Sequence, residues 1–132
     1  MSDQAEIEAF FDAYVTHWNA RDFDAVADCY GAPASFVLPG GAVSLPDAAA
    51  KVAMLKDLFA QMEADGFSHT TLGPVTARSC GPDTVVADVP NVRRWRADGS
   101  LMEEIDGHYI LQRQDGIWRA MVAVICTPGW RG

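Results

Sequence analysis

Two Asp-Gly dipeptides, Asp98-Gly99 and Asp115-Gly116, each stand between runs of alternating apolar and polar residues, and they constrain the fold more than any other feature of the chain. Asp-Gly supplies the positive φ angles of a two-residue turn whose twist matches that of antiparallel strands. The runs TVVADVPNVRRWR, LMEEIDGHYILQRQ and IWRAMVAVICT therefore read as consecutive strands of a meander. FSHTTLGPVTARSC, ahead of the turn at Gly81-Pro82-Asp83, is expected to join them.

The first half of the chain has a different period. After Asp3 and Glu6, spaced as in a capping box, Ile7, Phe10, Phe11, Tyr14 and Trp18 recur at helical intervals and predict a helix to about Ala20. Asp22 can cap a short second helix through FDAVADCY, which Gly31 and Pro33 stop. ASFVL (34–38) reads as a first strand and AVSL as a shorter second one. From about Pro46 to Ala64, Val52, Leu55, Leu58, Phe59 and Met62 make the apolar stripe of a third helix, with Gly66 as its stop. Helices first and a meander afterwards form an α+β pattern: three N-terminal helices on a strongly curved, mostly antiparallel sheet. Cystatin-like and ferredoxin-like layouts both satisfy it.

The 132 residues match one domain, 1–132, large enough to bury a core without disulfide or metal staples. A net charge of −8 repels nucleic acid and anionic membrane surfaces, so neither is an expected partner. The basic cluster Arg93, Arg94 and Arg96 reads as an exposed strand pairing with Glu103 and Glu104 across a hairpin. Cys29, Cys80 and Cys126 are odd in number and widely spaced, which predicts reduced core residues and not a disulfide framework. The N-terminus lacks a basic-then-apolar leader and no run approaches the roughly 20 apolar residues of a membrane span, so a cytoplasmic protein is expected. His17, His69 and His108 form no HxH or HxxxH pair, and no metal site is expected. Glycine-rich nucleotide loops and the GxSxG elbow are missing, so no cofactor is expected.

Counting back from Asp115-Gly116 puts Gln114 opposite Ile117, Ile110 opposite Met121, His108 opposite Ala123 and Asp106 opposite Ile125. The same count from Asp98-Gly99 adds Asn91 opposite Asp106 and Val89 opposite His108. One face then carries Val89, Ile110, Met121, Ala123 and Ile125 around an amide, a carboxyl and an imidazole. Tyr14 and Trp18 of the first helix oppose it, with Phe36 and Leu38 of the first strand and Phe59 of the third helix completing the lining. A mostly apolar concavity with a few convergent polar groups suits a small-molecule ligand. The other face, with Tyr109, Leu111, Trp118, Ala120 and Val122, is left apolar on the outside, which predicts a homodimer through the outer sheet face.

The run YVTHWNARDFDAVADCYGAPASFVLPGG, the helix after it and four strands ending in QDGIWRAM resemble the SnoaL-like and ketosteroid-isomerase-like branch of the NTF2-like superfamily. That resemblance implies a cystatin-like cone enclosing a pocket. It also implies that Tyr14 stands where the isomerases carry an oxyanion-hole tyrosine, and that Leu38 stands where they carry their catalytic carboxylate base. His108 falls on their second oxyanion donor, with Asp106 one step away on the same face. Two readings follow. In one, cofactor-independent acid–base catalysis acts on a small carbonyl or hydroxy compound, with His108 as base or acid, Asp106 orienting it, Tyr14 stabilising the oxyanion and Asn91 positioning the substrate. In the other, the same groups line a non-catalytic ligand-binding or dimerisation domain, which the leucine at position 38 favours.

Overall fold

The computed structural model describes residues 3–128. In chain order these form α1 (Asp3–Asn19), α2 (Phe23–Asp28), β1 (Tyr30–Leu38), β2 (Gly41–Leu45), α3 (Ala48–Ala64), β3 (Phe67–Thr71), β4 (Thr76–Ser79), β5 (Thr84–Arg96), β6 (Leu101–Gln114) and β7 (Ile117–Cys126). The architecture is α+β, with the helices packed on a curved, open sheet. Its strand order is β2-β1-β7-β6-β5-β3, with β4 also on β5. Every pairing is antiparallel except β1 with β7, so the sheet is mixed.

Local chemistry accounts for most element ends. Asp22 caps α2 by accepting the N–H of Ala25 at 3.2 Å, as expected. The third helix is capped by Asp47, which accepts from Ala50 at 2.9 Å, so Pro46 lies just outside it and not in its first turn. Asp3 and Glu6 form no capping box. Asp3 is already helical and accepts from Ser79 Oγ, while Glu6 faces Arg113. Gly73-Pro74 divides the expected strand 67–80 into β3 and β4. β1 starts at Tyr30, ahead of the residues Gly31 and Pro33 that were expected to precede it.

The core sits between the helices and the concave sheet face. Ile7, Phe11 and Trp18 of α1 and Leu55, Phe59 and Met62 of α3 are buried against Val85, Ala87, Val89, Leu111 and Ala120. Two amides moor α1 to the sheet edges as a neighbouring strand would. Gln4 donates to Val75 O and accepts from Ala77 N–H; Asn19 donates to Thr70 O and accepts from Thr70 N–H.

Three bulges bend the central strands, at Met102 in β6, at Met121 in β7 and at Pro90-Asn91 in β5, and the last two change which residues of their own strands face inward. The β6–β7 hairpin begins as counted, with Gln114 opposite Ile117, but Met121 is an extra residue between Ala120 and Val122. Beyond it Ile110 faces Val122, Tyr109 faces Ala123 and His108 faces Val124. In β5, Pro90 and Asn91 together oppose Asp106, so Val89 faces Gly107 and Asp88 faces His108. Tyr109, Leu111, Trp118 and Ala120, expected on an exposed face, are instead buried beneath the helices, and beyond the Met121 bulge Ala123 and Ile125 join their face. Of that set only Val122 lies outside, in the row Ser35, Val122, Ile110, Val86.

No described helix is long and apolar enough to cross a membrane. Cys29 and Cys126 are half-buried and Cys80 is exposed, all three as free thiols, so they are not the core residues expected. Their small, weakly polar side chains fit strand and turn positions without needing burial.

Candidate functional site

Between α1, α3 and the concave face lies a cavity of about 440 Å³, within the range of small-molecule pockets. The inward row Phe36, Ala123, Tyr109 crosses β1, β7 and β6, and the small Ala123 leaves open space between two rings. Leu55 and Leu58 of α3, Leu72 after β3, and Val92 and Ile105 of the central hairpin make the rest of the wall apolar.

All three tyrosines of the chain meet here. The hydroxyls of Tyr14 on α1 and Tyr30 at the start of β1 are 2.5 Å apart, and either can donate. A phenol that accepts from its neighbour becomes the better donor to a third group. Tyr109 on β6 lies against Phe11, with ring centroids 4.9 Å apart, and its hydroxyl has no protein partner among the described residues. A side chain at Gly107 would meet the Tyr109 ring at 2.7 Å, so glycine there lets the ring lie back along its own strand.

Burial keeps these phenols protonated. It pushes Tyr14 and Tyr30 well above the ordinary phenol value, with neighbouring tyrosines adding to the shift, and it pushes Tyr109 to about 12 against the lowering influence of Arg94. They are donors and not bases.

Three charged side chains reach the wall. Arg94 on β5 is ion-paired with Glu103 on β6 and lies 5.6 Å from the centre of the Trp18 ring. Burial lowers its pKa, and the three phenols around it raise it. Lys51 on α3 is buried and donates to the carbonyls of Tyr30 and Gly31 at 3.1 and 3.0 Å. Those carbonyls lie where β1 slips its register against β7, so the ammonium satisfies backbone that the sheet leaves unpaired. Burial lowers the Lys51 pKa, partly offset by Asp28. The indole N–H of Trp18, the hydroxyl of Thr70 and Nε of Arg94 are buried in wall residues without a partner among the described residues.

Of the residues singled out from sequence, Tyr14, Trp18, Phe36, Leu38, Val89 and Ile125 line the cavity. Phe59, Asn91, Asp106, His108, Ile110 and Met121 do not. Phe59 is core, packed on Trp18 at 4.7 Å. His108 and Ile110 alternate with the buried Tyr109 and Leu111 along β6 and so lie on the outer face, where His108 Nδ1 lies 2.8 Å from Asp88 Oδ1. Met121 itself packs over Gly31, with its thioether in the space a Cβ there would take. Asn91 is the left-handed residue of the β5 bulge, at φ 53°, and Asp106 accepts its backbone N–H at 3.0 Å. These two build the bend in place of a site. The expected set Tyr14, Asp106, His108 is thus not brought together.

The sequence reading missed Tyr30, Lys51, Arg94, Glu103 and Tyr109 as wall residues. Pairing of Arg93 with Glu104 and of Arg94 with Glu103 was expected, and both pairs form. The Arg94 pair, however, faces inward, with the Arg94 side chain 16% exposed. Gly107 inside a strand was a legible sign of close approach by another group. Among the described residues no three His, Cys, Asp or Glu side chains converge as a metal-binding group.

Residues 5–128 match the family described as NTF2-like protein (DUF6841). No curated protein matches the chain. Among solved structures, an NTF2-like protein with a cystatin-like fold from Novosphingobium aromaticivorans is similar with a TM-score of 0.80 and 19% identity, over 98% of this chain and 84% of that one. Aln2 from a Streptomyces species follows at 0.77 and 22%, covering 96% and 93% of the two chains. ActVI-ORFA from Streptomyces coelicolor is similar at 0.75 and 18%, covering 92% and 94%. At these identities the structures testify to the fold, and together with the family match they make this chain a member of the NTF2-like proteins.

Proposed function

We propose that the cavity binds a small, mostly apolar compound through a carbonyl or hydroxyl oxygen, as in the SnoaL-like branch that the sequence resembles. The observation that carries this is the Tyr14–Tyr30 hydroxyl pair, held at 2.5 Å in a wall that is otherwise largely apolar and aromatic. One phenol of the pair spends its proton on the other, and the second proton is left to donate to a ligand oxygen. Binding is favoured over acid–base catalysis by the shortage of proton acceptors. Glu103 is the one carboxylate in the wall among the described residues, and Arg94 holds it. A catalytic version of this site would use Glu103 as its base.

Titration with 2-acetylnaphthalene and with 2-ethylnaphthalene, which lacks the carbonyl, tests the reading. Tyr14→Phe keeps the ring and loses the hydroxyl, so ketone affinity is expected to fall about tenfold while that of the hydrocarbon stays. His108→Gln, altered outside the cavity, should change neither. Equal ketone binding by the parent and Tyr14→Phe would remove the tyrosine pair from the site, and no binding of either compound would remove the site.

We propose also that a second copy covers the outer sheet face. There Val37 and Ile110 are 42% and 41% exposed beside Val122 and Val124. The polar neighbours Arg78 and Asp88 are of opposite sign, so a two-fold axis can set the patch against itself without repulsion. Sedimentation is expected to give a dimer at micromolar concentration and a monomer for Ile110→Arg. A monomeric parent protein would overturn the assignment.

A further inference from the structure

The cavity wall has the opposite charge to the protein around it. Two cations, Lys51 and Arg94, face one anion, Glu103, in a chain of net charge −8. The two partners of the Arg94–Glu103 pair are also unequally placed. The Arg94 side chain is 16% exposed and that of Glu103 43%. Glu103 can therefore return to water at little desolvation cost, whereas Arg94 is held inside against the Trp18 ring, 5.6 Å from its centre. Nε of Arg94 is buried and has no partner among the described residues, so the fork of the guanidinium is not used up by Glu103. A planar fork of this kind matches two carboxylate oxygens at once.

The groups around Arg94 are donors as well. Its charge acts on Tyr14, Tyr30 and Tyr109, and all three stay protonated by burial, so none competes as an anion for the guanidinium. Lys51 is occupied by two backbone carbonyls, which leaves Arg94 as the cation open to exchange of partners.

We propose that the cavity selects apolar ligands that carry a carboxylate, and that Arg94 is the selecting residue, with Glu103 holding its place until the ligand carboxylate displaces it. This rests on the reading that the cavity binds small apolar compounds, and it adds the charge of the ligand. No bond is made or broken: the ligand anion enters, Glu103 turns to solvent, and the protonation of both carboxylates is unchanged.

Equilibrium titration of the full chain with 2-naphthoate and with methyl 2-naphthoate, at moderate ionic strength, tests it. The acid is expected to bind about tenfold more tightly than the ester, since a hydrogen bond to a charged partner exceeds one to a neutral partner by about that factor. Arg94→Gln should erase the preference. Glu103→Gln should strengthen naphthoate binding about threefold or more, because the resident competitor is gone. Equal binding of acid and ester, or a preference surviving in Arg94→Gln, overturns the proposal. If Arg94→Gln does not fold, Glu103→Gln decides alone, and unchanged or weaker naphthoate binding there overturns it. Binding of the ester without preference sinks charge selection only, whereas binding of neither probe sinks the ligand-site reading and this inference with it.

Discussion

Phe59→Ala is expected to lower stability by about 3–5 kcal/mol. Phe59 is 1% exposed, and its ring is where α1, α2, α3 and β3 meet. Trp18, Phe23 and Phe67 stand 4.7, 5.1 and 5.6 Å from it, centroid to centroid, and the Arg21 guanidinium lies over it at 5.3 Å. Rings anchored on separate elements cannot close the gap that alanine leaves, so the loss includes a cavity as well as transfer free energy. Urea unfolding followed by far-ultraviolet circular dichroism measures it, and a change under about 1 kcal/mol would show that Phe59 is not the hub. Phe59 does not line the cavity, so the folded fraction of this variant should bind ligands as the parent does. That outcome separates a core role from the lining role that helical periodicity had suggested.

The second large effect is expected in alkali. Tyr14, Tyr30 and Tyr109 are buried with pKa values above the ordinary 10.0, Tyr109 at about 12. Above pH 10 the unfolded chain releases three phenol protons that the folded protein keeps, so the folded state binds more protons and stability falls as pH rises. The stabilisation is fully present below pH 10 and is lost as pH climbs toward the folded values. At about 1.4 kcal/mol per proton per pH unit, three phenols give a slope of about 4 kcal/mol per unit, enough to unfold an ordinary domain within a few pH units. Cys29, pushed by burial from 9.0 to about 11, acts in the same direction from pH 9. Lys51, whose pKa burial lowers, acts in the opposite direction and ceases to contribute above its ordinary 10.5. Because the chain has three tyrosines and all lie on the cavity, tyrosinate absorbance reads the site alone. It should stay silent past pH 10 and then rise together with loss of the circular dichroism signal. Tyr109→Phe should reduce the slope by about a third. Gradual tyrosinate formation from pH 10 in a protein that stays folded would show the phenols to be in contact with water.

The elements and their order are written locally in the chain. Asp-Gly dipeptides specify tight turns through backbone sterics, Asp22 caps a helix by a bond within three residues, and the periodicities of α1 and α3 are local. Hence the β6–β7 turn, the α+β arrangement and the inward position of Tyr14 and Trp18 were legible. So was the pairing of Arg93 and Arg94 with Glu104 and Glu103, as opposite charges across one hairpin, although Met102 bulges between these pairs and their turn.

Which face each central strand turns inward is set instead by contacts between distant parts of the chain. Side chains alternate with a period of two, so one extra residue at Met121, and another at Pro90-Asn91, exchanges the faces of the residues beyond it on its own strand. That exchange brings Ala123 and Ile125 of β7 and Val89 of β5 onto the face of Tyr109 and Leu111, and leaves His108, out of phase with them on β6, beside Asp88 outside. The bulges are held by what the bend satisfies: Asp106 takes the Asn91 N–H, Gly73 donates to Pro90 O, and Met121 packs over Gly31. Each of those contacts joins residues 15 or more positions apart in the chain, a distance over which no local pattern carries information.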